Sequence, residues 1–152
     1  MGVSTDGQIC FGIAFEEGFE FPWGDDDEGN WWTDQVNGYK PPFSLYDDKG
    51  NFLGGKRPPQ DQMDRYYDHL REFEAAHPMP VKVVNYCSYD CPMYILAVPS
   101  SFMKNSRGFP KDFDPSKLVV SDQEREELLA FCRDHGIEFE GEPKWYLSSL
   151  WG

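Results

Sequence analysis

Val81-Lys82-Val83-Val84-Asn85-Tyr86-Cys87 and Met93-Tyr94-Ile95-Leu96-Ala97-Val98 flank Ser88-Tyr89-Asp90 and make the most hydrophobic part of the chain. Two short runs rich in β-branched and aromatic residues, with a polar break between them, read as the arms of one hairpin. That hairpin is the expected centre of a sheet. Upstream, Gln8–Phe15 alternates strictly, with Ile9, Phe11, Ile13 and Phe15 on one face and Cys10, Gly12 and Ala14 on the other. The alternation predicts a half-buried strand whose small-residue face lets something approach closely. Downstream, Trp145–Trp151 alternates poorly but reads as a final strand bringing the C-terminus into the core.

Two helices are expected. Gln60–Ala76 places Met63, Tyr66, Tyr67, Leu70 and Phe73 at helical spacing, and His77-Pro78 ends it. Ser121–Gly136 opens with Ser121 and Glu124 at capping-box spacing, buries Leu128, Leu129 and Cys132, and closes at Gly136. Phe19–Trp23 predicts the return arm of a hairpin turning at Glu16–Gly18. Asn30–Tyr39 predicts a short helix capped by Asn30, and Ser44–Leu53 a hairpin turning at Asp47–Asn51. Pro99–Ser116 reads as a long loop, and Lys117–Val120 as a short strand or helix lead-in. The fold class is α+β: an antiparallel sheet of hairpins with two helices packed on one face, residues 1–152 forming a single domain.

Charge divides the chain unevenly. Its 27 acids and 14 bases give a net −13, and the first 39 residues hold nine acids with no Lys or Arg. Direct nucleic-acid or anionic-membrane binding needs a basic footprint, which this distribution lacks. It suits a partner protein whose own basic surface handles nucleic acid. The N-terminus lacks a signal peptide's basic and apolar regions, and no apolar run reaches membrane-helix length. Met1-Gly2-Val3-Ser4 starts like a myristoylation site, but Asp6 stands where Ser or Thr is needed. Cys10, Cys87, Cys91 and Cys132, without a secretion signal, read as reduced thiols of a cytoplasmic protein.

Phe15–Asp34, FEEGFEFPWGDDDEGNWWTD, concentrates this charge. Glu16, Glu17, Glu20, Asp25, Asp26, Asp27, Glu28 and Asp34 surround Trp23, Trp31 and Trp32. Exposed Trp beside charge is the composition of an interface, anchors within a charged rim. The alternatives are an acid run that only keeps the protein soluble, and Trp side chains that staple the acidic loop down. A calcium loop does not fit. Counted from Asp25, Asn30 falls on the required Gly and Val36 on the required Glu; counted from Asp26, Trp31 and Asn37 fall there.

Cys87, Cys91, Cys132 and His135 form the only soft-metal constellation, an alternative zinc site. Cys132 equally suits the apolar helix face, and His135 a helix C-terminus. No nucleophile elbow, zincin, Walker or dinucleotide motif is present. The exposed carboxylates lack the separated pKa values of acid–base pairs. No enzyme activity and no cofactor are expected.

GVSTDGQICFGIAFEEGFEFPW, NYCSYDCPMYILAVP and WYLSSLWG together resemble small acidic accessory proteins of tailed bacteriophages. Phage proteins of this size and charge include inhibitors of host defence, such as anti-CRISPR and anti-restriction proteins, some of which imitate nucleic acid. The resemblance implies a host-facing cytoplasmic role and a protein partner, and it transfers no functional residue. The expected function is therefore a non-enzymatic protein-binding inhibitor. The alternatives are a zinc-stabilised protein and a phage structural or assembly protein.

Overall fold

The computed structural model describes residues 5–25 and 27–151. The Met1–Ser4 start of the myristoylation-like sequence lies outside the described residues, as does Asp26. Among the described residues there are three α-helices and one mostly antiparallel five-stranded sheet, an α+β fold. The chain forms two compact units, Met1–Gly24 with Pro80–Gly152, and Asp25–Met79.

The first unit is built on β1 (Thr5–Phe15). One edge of β1 pairs with β5 (Lys144–Trp151), from Thr5↔Trp151 to Gly12↔Lys144. Its other edge pairs first with β4 (Met103–Asn105) through Gly7–Ile9, then with β3 (Pro92–Ala97) through Gly12–Phe15. The expected hairpin forms, with β2 (Lys82–Ser88) antiparallel to β3. It is not the sheet's centre, however; β1 is, because three strands pair with it. Two parallel pairs, Cys87↔Leu150 and Ser88↔Trp151, join β2 to β5, so β1, β5, β2 and β3 close a circuit of pairings.

Small side chains make that closure possible. Cys10 is fully buried with Val84, Ile95 and Ala97, and Ala14, Tyr86, Phe102 and Tyr146 pack around them. The small-residue face of β1 is thus what neighbouring strands approach. Where β1 changes partner from β4 to β3, Ser101 fills the break. Its Oγ accepts from the Phe11 N–H at 2.9 Å and donates to the Val98 carbonyl at 2.6 Å. β4 itself lies inside the stretch expected to be loop; three residues are too few to display a period.

Phe19–Trp23 does not form a return strand. Pro22 has no N–H to give a ladder, and the rings pack on one another instead. Phe19 lies 4.3 Å from Phe15 between centroids, Phe21 lies 5.1 Å from Phe15, and Trp23 stacks on Phe21 at 4.6 Å. Helix α3 (Asp122–Asp134) forms with its Ser121–Glu124 capping box complete, and Leu128 and Cys132 are buried as expected, but the third buried residue is Phe131, whereas Leu129 is only half-buried. Gly136, at φ 66, ends it as expected. Before it, Pro115–Lys117 is a 3₁₀ turn opened by Asp114.

The second unit has an aromatic interior. Along α2 (Gln60–Ala76), Met63 is buried, and Tyr66 and Phe73 meet Phe43 and Tyr39 at 6.0 and 5.0 Å. The Ser44–Leu53 segment makes one isolated bridge, Tyr46↔Phe52, rather than a full hairpin. Asp47 closes its turn by accepting from the Lys49 and Asn51 N–H groups, both at 2.9 Å.

Asn30 is not a helix cap. The cap is Asp27, whose Oδ1 accepts from the Gly29 and Asn30 N–H groups at 3.0 and 3.1 Å and opens α1 (Glu28–Asn30). A π-helical turn, Trp31–Val36, follows. A carboxylate beside the first turn also faces the positive end of the peptide dipoles, which favours Asp27 over the neutral Asn30.

Candidate protein-binding surface

Glu16, Glu17 and Glu20 follow the end of β1 and are exposed around the Phe15–Phe19–Phe21 ring cluster. The rings supply the turn's packing, so the carboxylates remain in water. In the second unit Asp25, Asp27 and Asp34 are exposed and Glu28 is half-buried. None of these acids joins an ion pair among the described residues; the ion pairs formed, such as Lys104–Asp6 at 2.7 Å, lie elsewhere. Asp26 is among the undescribed residues.

The tryptophans take a different position. Trp23 and Trp31 are 7% and 6% exposed, which makes them core residues rather than surface anchors. Trp32 is half-buried, and its indole N–H donates to the His77 carbonyl at 2.9 Å. Two of the three rings therefore turn inward, against the expectation drawn from their acidic neighbours. The physical reason is area: a Trp side chain gains more from burial than its neighbours lose by staying at the rim.

The Cys87, Cys91, Cys132 and His135 constellation does not assemble. Among the described residues no group of three His, Cys, Asp or Glu side chains is placed to hold a metal ion. Cys132 is buried in α3 and its thiol is pushed up to about 11 by burial. The His135 ring packs on Phe131 at 4.7 Å. The Glu17 carboxylate instead acts on Cys91, raising its thiol above the ordinary value. No spacing rule links these residues, since they belong to different segments of the chain.

A second surface was hidden in the poor alternation of Trp145–Trp151. In β5, Tyr146 and Leu150 follow Cys10 and Asp6 of β1 on one face, whereas Leu147 and Trp151 stand with Ile9 and Thr5 on the other. Leu147 and Trp151 are 84% and 57% exposed, and Leu147 borders an apolar cleft of about 230 Å³ with Ile9, Met103 and Phe113. A strand apolar on both faces cannot show a clean period of two. No helix among the described residues is long and apolar enough to cross a membrane. Comparison with protein-family models, curated proteins and solved structures returns no match to this chain.

Proposed function

We propose that the protein is a non-enzymatic inhibitor that occupies the basic, nucleic-acid-handling site of another protein in the cytoplasm. The observation that carries this reading is the exposure, without ion-pair partners, of Glu16, Glu17, Glu20, Asp25, Asp27 and Asp34. Unneutralised carboxylates remain available to a cationic surface, and they steer association and set its specificity. The acids supply recognition, while Trp23 and Trp31 hold the segments that carry them. The phage resemblance supports a host defence protein, of anti-CRISPR or anti-restriction target type, as the partner.

The experiment is competition for labelled DNA on purified host nucleases and CRISPR effectors, identified beforehand by pull-down from host lysate at graded salt. The protein displaces DNA from its target, and the displacement weakens as salt rises. Exchanging Glu16, Glu17, Glu20, Asp25 and Glu28 for Gln or Asn lowers the association rate and flattens the salt dependence. Equal displacement by the folded, neutralised variant at every salt concentration would overturn the reading.

A further inference from the structure

A cavity of about 320 Å³ opens in the second unit, walled by Ser44 and Leu45, by the segment that runs from Leu53 to Pro59, and by the first turn of α2. The Leu53 N–H donates to the Leu45 carbonyl at 3.0 Å, which ties the first two walls together. Leu45 and Leu53 supply apolar lining, Ser44 and Gln62 neutral polar groups, and Lys56 and Arg57 two positive charges. Although the chain carries 27 acids, none of the residues lining this cavity is acidic. Neither Lys56 nor Arg57 joins an ion pair among the described residues. The Arg57 guanidinium is nonetheless held in place. Its Nε donates to the Met63 Sδ at 3.3 Å and its Nη2 to the Gln60 Oε1 at 3.4 Å. Both acceptors are neutral and belong to the start of α2, so the charge is positioned without being neutralised. Pro59 opens α2 with no side-chain cap, and the positive end of the helix's peptide dipoles adds to the field of the two cations.

We propose that this cavity binds a small phosphate monoester, its phosphoryl oxygens on Arg57, Lys56 and Ser44 and its organic part against Leu45 and Leu53. A guanidinium fork matches a phosphoryl group with two parallel hydrogen bonds, and an ammonium adds a point charge. Two cations call for a dianion. A phosphate monoester is one above its second pKa of about 6, whereas a single carboxylate is not. Inorganic phosphate would leave the apolar lining uncovered, so the ester is the better occupant. The site lies apart from the carboxylates of the inhibitor reading and does not rest on them.

The test titrates phenyl phosphate and inorganic phosphate into the whole protein at physiological salt, with binding read by calorimetry or NMR shifts. Phenyl phosphate is expected to bind with a Kd on the order of 1 mM or tighter, and inorganic phosphate several-fold more weakly. Binding weakens as pH falls through about 6, where the dianion takes up a proton. Arg57→Gln and Lys56→Gln each lower the affinity at least about tenfold while the circular dichroism stays unchanged. Lys40→Gln, which removes the same charge outside the cavity, leaves the affinity as it is. No binding of phenyl phosphate to the wild type, or equal losses in Lys40→Gln and Arg57→Gln, would overturn the proposal. Equal affinity for the two ligands would remove Leu45 and Leu53 from it. These readouts involve no partner protein, so they stand or fall separately from the inhibitor reading.

Discussion

Gly12 lies against the Leu96 carbonyl so closely that a β-carbon at position 12 would stand 2.1 Å from that oxygen, and 2.8 Å from the Ala97 α-carbon. Both atoms are backbone and cannot swing aside. Gly12 also pairs with Ala97 on one edge and Lys144 on the other, at the point where β5 ends its ladder and β3 begins its own. Gly12→Ala is therefore expected to cost about 3 kcal/mol or more, or to prevent folding, because two strands must separate to admit one methyl group. Urea unfolding of the variant beside Ala14→Gly, which empties space on the same face, checks the direction.

Loss of the Ser101 hydroxyl leaves the Phe11 N–H without its acceptor at the change of strand partner. Ser101 is 5% exposed, so water does not readily replace it. Ser101→Ala is expected to cost about 1–3 kcal/mol, read by thermal or urea unfolding. A neutral result would mean that β1 finds another partner there.

Trp31→Ala is expected to destabilise the protein by about 3–5 kcal/mol, the range for emptying a large aromatic from a core. Trp32→Phe loses the hydrogen bond to His77 and should cost about 1 kcal/mol. Equilibrium unfolding separates the two. An indifferent Trp31→Ala variant would mean that Trp31 is accessible in solution.

Asp27 distinguishes capping from charge. Asp27→Asn keeps an oxygen acceptor for the Gly29 and Asn30 N–H groups and should lose only the charge contribution, about 0.3 kcal/mol, whereas Asp27→Ala should lose about 1 kcal/mol. Equal losses for the two would make the carboxylate's charge, rather than its hydrogen bonds, the stabilising element.

Glu124 supplies a pH dependence of known sign. The Ser100 hydroxyl, then the Ser121 N–H and hydroxyl, hold its carboxyl below the ordinary 4.5. A carboxyl depressed in the folded state stabilises it above the unfolded value and loses that contribution as pH falls through the folded value. The stability difference between wild type and Glu124→Gln should be constant near neutrality and shrink below about pH 4.5. Chemical unfolding at stepped pH measures it, and a difference that grows in acid would reverse the assignment.

Helices α2 and α3 were legible from their helical spacing, and the β2–β3 hairpin from two apolar runs about a polar break. The Ser121–Glu124 box and the Gly136 stop carry local chemistry that no tertiary contact overrode. The central place of β1 was legible only in its consequence: Cys10, Gly12 and Ala14 announced a close approach without saying by what. The exposure of Glu16, Glu17, Glu20, Asp25, Asp27 and Asp34 was readable, since carboxylates without ion-pair partners stay in water; Glu28 is half-buried. Tryptophan directions were not, because acidic neighbours do not decide which way a ring turns after a π-helical step. The left-handed Cys87 has no propensity signature.

The circuit of strands also bears on synthesis. β1 leaves the ribosome well before β5, yet its longest ladder is with β5, roughly 140 residues later in the chain. At about 5–20 residues per second, Ile9–Phe15 waits many seconds with one edge open before its partner exists. During that interval the adjacent Glu16, Glu17 and Glu20 put like charge beside the unpaired strand, a gatekeeper against pairing with a neighbouring nascent chain.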